Sequence, residues 1–369
     1  MPTSERVFLR CVHFGGSKQK DWEKMNRTAS IKDVANQAGV AVGTVSNVLN
    51  YPDRVSLRTK ERVLKAIDDL GFVRNDAARQ LRAGHSRTIG LIVLDVGNPF
   101  FTSVVRAAED AAALQGSAVL LGDSGHNESR ESNYIDLFQE QRVQGLLISP
   151  VGDVTARLNV LRERGVPTVL VDRLADDAMF SSVSVDDDEG GYLAARHLLD
   201  IGRRRLAFVG GPLSIHQVAD RLRGAQRAVK EEADATLEVL DSEGQSVLAG
   251  RGIGNRLVER PAKNLPDGIF CANDLLALGV MQSLTMTHTL RIPEDIALIG
   301  YDDIDFSVSA VVPLSSIRQP TEAIGRTAIE LLTEELESQQ VRHRAVVFTP
   351  ELVVRQSTAG AEAALEASL

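Results

Sequence analysis

The chain has 369 residues, with 41 Lys and Arg against 50 Asp and Glu, a formal net charge of −9 and a hydrophobic content of 43%. That length predicts two or three domains with ample material for a core. No apolar run approaches the roughly 18 residues of a membrane span, no apolar signal region opens the chain, and Cys11 and Cys271 are too few for a disulfide framework or a metal site, so a reduced, cytoplasmic protein is expected.

Charge divides the chain. Residues 26–87 hold 11 Lys and Arg against 6 Asp and Glu, whereas residues 88–369 hold 25 against 41. A basic head on an acidic body is the footprint of nucleic-acid contact confined to one end. Ahead of the head, a short apolar patch breaks at Gly15, Gly16 and Ser17. Residues 1–28 are expected to be an unstructured extension, or the product of a translation start placed upstream of Met25.

The first domain is expected over 29–87. Ile31, Val34, Ala35 and Ala38 recur at helical spacing behind Ser30, a ready N-cap. Gly39 ends that helix, because it tolerates the positive φ of a tight turn. Val45, Val48 and Leu49 give a second apolar stripe. Val42, Gly43, Thr44, Ser46 and Asn47 are left outside with Asn50, as a helix-turn-helix presents its second helix to a major groove. Val42 suits a thymine methyl and Asn47 an adenine edge, while Gly43 adds no side-chain contact. Lys32, Arg58 and Lys60 are expected on phosphates. Ser56 is a plausible cap for a third helix, whose inner stripe is Val63, Ile67 and Leu70 and which Gly71 ends. A short helix over 75–82 follows. Its Leu81 stands among Arg79, Gln80 and Arg82, a poor core residue but a suitable wedge for a minor groove.

These pieces, in this order, resemble the lactose/galactose repressor family of bacterial transcription regulators. The matching residues are Ile31 to Ala35 with Ala38, Gly39 and Val40, then Thr44 to Asn50, then Ala77 to Leu81. The resemblance runs from about Arg27 to about Ser357. It implies that Leu81 enters the minor groove at the operator centre and that its hinge helix folds only on DNA.

From residue 88 the pattern changes to apolar runs of four to six residues separated by amphipathic helices. The runs are 89–94, 118–121, 145–149 and 167–171, then 205–209, 237–240, 268–271 and 296–300. This rhythm predicts doubly wound α/β sheets in two lobes. Lobe 1 is expected at about 88–187 with 319–342, and lobe 2 at about 188–318 with 343–357. Two such sheets resemble the periplasmic sugar-binding proteins, which share this core with the repressor family.

Ligands of open α/β sheets sit beyond the carboxyl ends of the strands. Polar and aromatic residues stand there: Asp95, Asn98, Phe100 and Phe101, then Asp172 and Arg173, Arg221, Asn273 and Asp302, with Gln319 in a segment returning between the lobes. Strand-end Asp and Asn often serve only as helix caps. Together, however, carboxylates, amides and a guanidinium match vicinal hydroxyls, and phenyl faces suit the C–H side of a sugar ring. The set is similar to that of the ribose-binding periplasmic protein, which implies a small neutral sugar. Ser214 to Gln217 lacks the Arg/Thr pair of the purine-responsive branch, which argues against a purine. The acidic run Asp186 to Glu189 reads as a capping and crossover segment, and the scattered histidines, His126 and His197 among them, as loop or surface residues.

No catalytic residue, cofactor motif or metal cluster stands out: there is no Gly-x-Gly-x-x-Gly after the first strand, no P-loop and no Gly-x-Ser-x-Gly elbow. A non-sugar effector, an enzyme or a non-specific architectural DNA-binding protein remain as alternatives. The expected protein is a homodimeric repressor that reads double-stranded operator DNA under the control of a small effector, without membrane contact. The tail 359–369 is too short for an independent coiled coil, so no tetramer is expected.

Overall fold

The computed structural model describes residues 29–72, 86–175, 179–286, 290–338 and 342–359. The extension 1–28, the hinge segment with Arg79 and Leu81, and the tail from residue 360 lie outside the described residues. The chain divides into a unit over Met1–Gly84 and a unit over His85–Leu369.

The first unit holds α1 (Ile31–Ala38), α2 (Val42–Asn50) and α3 (Leu57–Leu70). Ser30 and Asp33 cap α1 reciprocally: Asp33 N donates to Ser30 Oγ, and Ser30 N donates to Asp33 Oδ2 at 2.9 Å. Gly39 closes α1 in the left-handed region, at φ 61°. Val34, Val45 and Val63, one from each helix, are fully buried and meet with Ala35, Ala38, Val48 and Ala66 in one small core. Ser56 makes no side-chain cap to α3; its hydroxyl pairs with Thr59 Oγ1 at 2.9 Å instead.

The second unit carries two six-stranded sheets. The first lobe contains β1 (Thr88–Val93), α4 (Pro99–Leu114), β2 (Ala118–Asp123), α5 (Glu128–Glu140), β3 (Gly145–Ile148), α6 (Thr155–Glu163), β4 (Thr168–Val171) and β5 (Ser181–Val185). The second contains α7 (Asp187–Asp200), β6 (Arg205–Gly210), α8 (His216–Lys230), β7 (Thr236–Asp241), α9 (Val247–Val258), β8 (Gly268–Cys271), α10 (Asp274–Met286), β9 (Ala297–Asp302), the short α11 (Asp305–Val308) and β10 (Ser315–Arg318). The chain then returns through α12 (Thr321–Glu337) and β11 (Ala345–Phe348) to the first sheet, and crosses to β12 (Glu351–Val353) on the second.

Sheet orders are β11-β5-β4-β3-β1-β2 and β12-β10-β9-β8-β6-β7. All pairs are parallel except β10 with β12. Central strands such as β3, β4 and β8 are buried at every residue, as helices on both faces require, while the edge strand β2 has one buried residue and the edge strand β7 none. One lobe boundary differs from expectation. Segment 343–357 does not belong wholly to lobe 2, because β11 pairs with β5 in the first sheet and only β12 joins the second. A four-residue edge strand is placed by its backbone partners, and its own side chains do not name them.

Helix crossings in lobe 2 are close because glycines line them. A Cβ at Gly191 of α7 would collide with the carbonyl of Arg221 on α8, and one at Gly224 of α8 with the carbonyl of Asp188. This contact fixes α8, and with it Arg221, against the start of α7.

Candidate functional site

In the first unit, the exposed face of α2 carries Val42, Gly43, Asn47 and Asn50, with Thr44 and Ser46 half-buried at its margin. Val42 is 41% exposed and stands outside the small core. A Cβ built on Gly43 meets nothing within 4 Å. Asn50 is engaged within its own helix, donating Nδ2 to Ser46 O at 2.9 Å. Lys32 and Arg58 are exposed and Lys60 is half-exposed. The exposed face of α2 is thus made of short side chains, and the three cations stand on the neighbouring helices α1 and α3.

In the second unit, carboxyl ends of strands from both sheets converge on one cavity with an empty volume of about 390 Å³. Asp95, Asn98, Phe100, Phe101, Asp172, Arg221, Asn273 and Asp302 all line it. Asn98 accepts from Phe100 N at 3.0 Å, capping α4, while its Nδ2 donates to Asp302 Oδ2 at 3.0 Å. Asn273 caps α10 through Leu276 N and ties the Gln245 carbonyl at 3.0 Å. Phe100 and Phe101 stand edge to face, with centroids 5.0 Å apart. Asp95 turns back to accept from Gly97 N.

Arg221 is the hub. Its Nε donates to Asp187 Oδ1 at 2.7 Å and its Nη1 to the Ala272 carbonyl at 2.7 Å. Asp302 Oδ1 lies 3.8 Å from Nη1, and the guanidinium stacks 3.6 Å from the Tyr301 ring centroid. One buried cation thus faces three buried carboxylates, Asp172, Asp187 and Asp302. Burial pushes all three carboxyls above their usual range. Asp302 rises to about 6, with Arg221, Asn98 and Gln319 holding it down against burial. For Asp172 the charge of Asp187 adds to burial. Arg221 is itself raised: burial opposes its charge, but Asp187, Tyr301, Asp302 and Asp172 outweigh it. Such a cavity is rich in acceptors and favours a ligand that donates hydrogen bonds.

Backbone strain gathers here. Asp172, Asp302 and His126 have φ of 58°, 102° and 57°, a region that side chains other than glycine rarely adopt. All three line the cavity.

Two expected residues lie elsewhere. Arg173 lines a neighbouring cavity with Asp153, Leu158, Phe180 and His216, and not the one that Asp172 lines. Gln319 does not line the cavity but supports it, donating Nε2 to Asp302 Oδ1 at 2.8 Å. Five cavity residues were missed: Leu94, His126, Ile215, Gln217 and Gln245. His126, read as a loop or surface residue, is half-buried just beyond β2; applying the strand-end rule there would have found it. His197 is tied to Thr358 Oγ1 at 2.8 Å and does not line the cavity. Within the acidic run, Asp186 does cap α7, but Asp187 turns inward to Arg221, a partner 34 residues away that leaves no local signal.

Among the described residues, no group of three His, Cys, Asp or Glu could hold a metal ion, and no helix is long and apolar enough to cross a membrane.

Comparison with known proteins joins the two units. Residues 30–75 match the lacI family of bacterial regulatory proteins, and residues 195–358 match the periplasmic binding protein-like domain. The HTH-type transcriptional repressor PurR of Vibrio vulnificus is 34% identical over 336 residues, covering 89% of this chain and 98% of the relative. The Lac repressor dimer bound to operator and the anti-inducer ONPF superposes with a TM-score of 0.78 at 27% identity, covering 90% of this chain and 99% of that one. A lacI-family regulator from Enterococcus faecium with bound ribose superposes with a TM-score of 0.67 at 29% identity, over 74% of this chain and 99% of that one. A basic helix-turn-helix unit, a two-lobed binding core and relatives that are repressors rather than enzymes lead to one conclusion: the chain belongs to the lacI family of bacterial regulatory proteins, as a DNA-binding transcriptional repressor that responds to a small-molecule effector.

Proposed function

We propose that the effector is a small neutral sugar of about pentose size, bound by Asp95, Asn98, Phe100, Phe101, Asp172, Arg221, Asn273 and Asp302. The observation that carries this reading is the excess of buried carboxylates over cations around the cavity. A polyol supplies many donors with no charge of its own, whereas an acidic or phosphorylated ligand would meet three carboxylates. The lacI-family relative with bound ribose supports the same class.

The repressor acts as a homodimer in the cytoplasm, each basic unit reading half of a pseudo-palindrome. Val42 and Asn47 read base edges, helped by Thr44, Ser46 and Asn50, and Lys32, Arg58 and Lys60 hold phosphates. Effector and operator bias each other's affinity by the same factor.

A purine is the second reading, favoured by the 34% identity to a repressor named PurR. A thermal-shift and calorimetric screen of the full chain against pentoses, hexoses and purine bases decides between them. Asp302→Ala removes a charge-assisted partner worth about 1.5–3 kcal/mol, so sugar affinity should fall at least about tenfold. Stabilisation by a purine and by no sugar would overturn the reading.

A further inference from the structure

Two side-chain amides cross the cleft in opposite directions. Asn98 of lobe 1 donates to Asp302 of lobe 2, and Gln217 of lobe 2 donates to Asp172 of lobe 1. Gln217 stands in the first turn of α8, one helical turn before Arg221, and is buried. Its Nε2 reaches both the main-chain carbonyl of Asp172, at 2.5 Å, and Oδ2, at 2.9 Å. Asp172 has only one acceptor left. Its Oδ1 is buried and has no hydrogen-bond partner among the described residues. An unpaired carboxylate oxygen away from water is costly, and a ligand hydroxyl in the cavity would satisfy it. The rest of the residue is held: its carbonyl and Oδ2 by Gln217, its N by the Val183 carbonyl, and its backbone in the left-handed region at φ 58°.

We propose that Gln217 is a positioning residue of the effector site: bonded across the cleft, it turns Asp172 so that Oδ1 receives an effector hydroxyl, and it makes that contact depend on the two lobes being closed. This inference rests on the sugar reading above.

The chemistry of an amide is what the role requires. Leucine has nearly the same size but no donor. Glutamate has the same shape but donates only when protonated. Asp172 also faces Asp187 at the start of α7, Arg221 on α8 and Asp302 at the end of β9. A second carboxylate at position 217 would join this acidic group, and the pair would have to share one proton.

The test compares the full-length wild type with Gln217→Leu and Gln217→Glu. D-ribose is titrated by calorimetry at about pH 5.5, 7 and 8.5, values that bracket the titration of a shared carboxylate proton. Hydrogen exchange of the sugar-free proteins is followed at residues 170–175. Gln217→Leu should weaken D-ribose at least about tenfold at every pH and speed exchange around Asp172. Gln217→Glu should bind within about threefold of wild type at the lowest pH and lose at least about tenfold by the highest, while wild type changes less across that range. If both folded variants bind D-ribose as wild type does, with no new pH dependence, the proposal is overturned. Wild type that binds no monosaccharide sinks the sugar reading instead. The exchange measurement then decides the clamp alone: unchanged exchange in Gln217→Leu would remove it as well.

Discussion

Arg221 and Asp187 form a buried ion pair 2.7 Å long, in which a helix residue of lobe 2 grips the first turn of the helix that opens that lobe. Burial of the pair is nearly complete, with side chains 5% and 8% exposed. In such surroundings, loss of one partner matters more than the net value of the bond, because the other charge is left unpaired.

Arg221→Ala is therefore expected to destabilise the core by about 3–5 kcal/mol, since Asp172, Asp187 and Asp302 lose their shared cation. Asp187→Asn keeps the shape and an acceptor for Nε, so it should cost less, about 1–3 kcal/mol. Urea denaturation of the full chain measures both. Wild-type stability in Arg221→Ala would show that the cluster does not depend on its cation.

The pH dependence of stability follows from the same buried acids. Asp274 accepts from Ile304 N, Ser307 Oγ and Ser316 Oγ, yet burial raises it to about 8, with the charge of Asp302 adding to the effect. Asp302 itself is raised to about 6. A carboxyl raised on folding binds its proton more tightly in the native state. Its contribution is complete below the unfolded value of about 4 and is lost as pH climbs through the folded one. The melting temperature should therefore fall between about pH 4 and 8, through Asp302 and Asp274 together up to about pH 6 and chiefly through Asp274 above it. Asp274→Asn should flatten the upper part of that fall. A melting temperature that rises steadily over this range would contradict the assignment.

On the DNA side, Gly43→Gln should be accepted without loss of fold. The added side chain meets open space, and glutamine favours a helix over glycine by several tenths of a kcal/mol. A long amide at this point of α2 can reach a base edge, so the preferred operator should change by about 1–3 kcal/mol at one base pair per half-site. Binding to a set of single-base operator variants reads the change directly. An identical preference profile would mean that position 43 does not face the bases.

Leu81 lies outside the described residues, and its prediction rests on the sequence. Leu81→Ala should cost operator binding about 1–3 kcal/mol at fixed salt, the scale of one lost specific contact. Affinity for random DNA depends chiefly on phosphate charge and should hold, as should effector binding. Operator affinity equal to wild type would remove Leu81 from the minor groove.

The sequence by itself determined the order of parts. The helix-turn-helix shows through local signals, namely the Ser30 cap, the Gly39 stop and apolar stripes at helical spacing, which act within a few residues of one another. The doubly wound sheets show because strands buried on both faces must be apolar almost throughout. That rule also explains the strands the sequence hid. β5 and β10 are serine-rich, and three of their buried hydroxyls pair far along the chain: Ser181 with Glu335, Ser315 with Thr358 and Ser316 with Asp274. Strand-end position located most of the cavity residues in the same way. Tertiary structure alone decided that Asp187 meets Arg221, that Gln217 crosses to Asp172, that Arg173 faces another cavity, and which sheet takes β11. These depend on how two lobes close over residues far apart in the chain. A buried charge or amide takes its partner from whatever the fold brings within about 3 Å, and no spacing along the sequence records that distance.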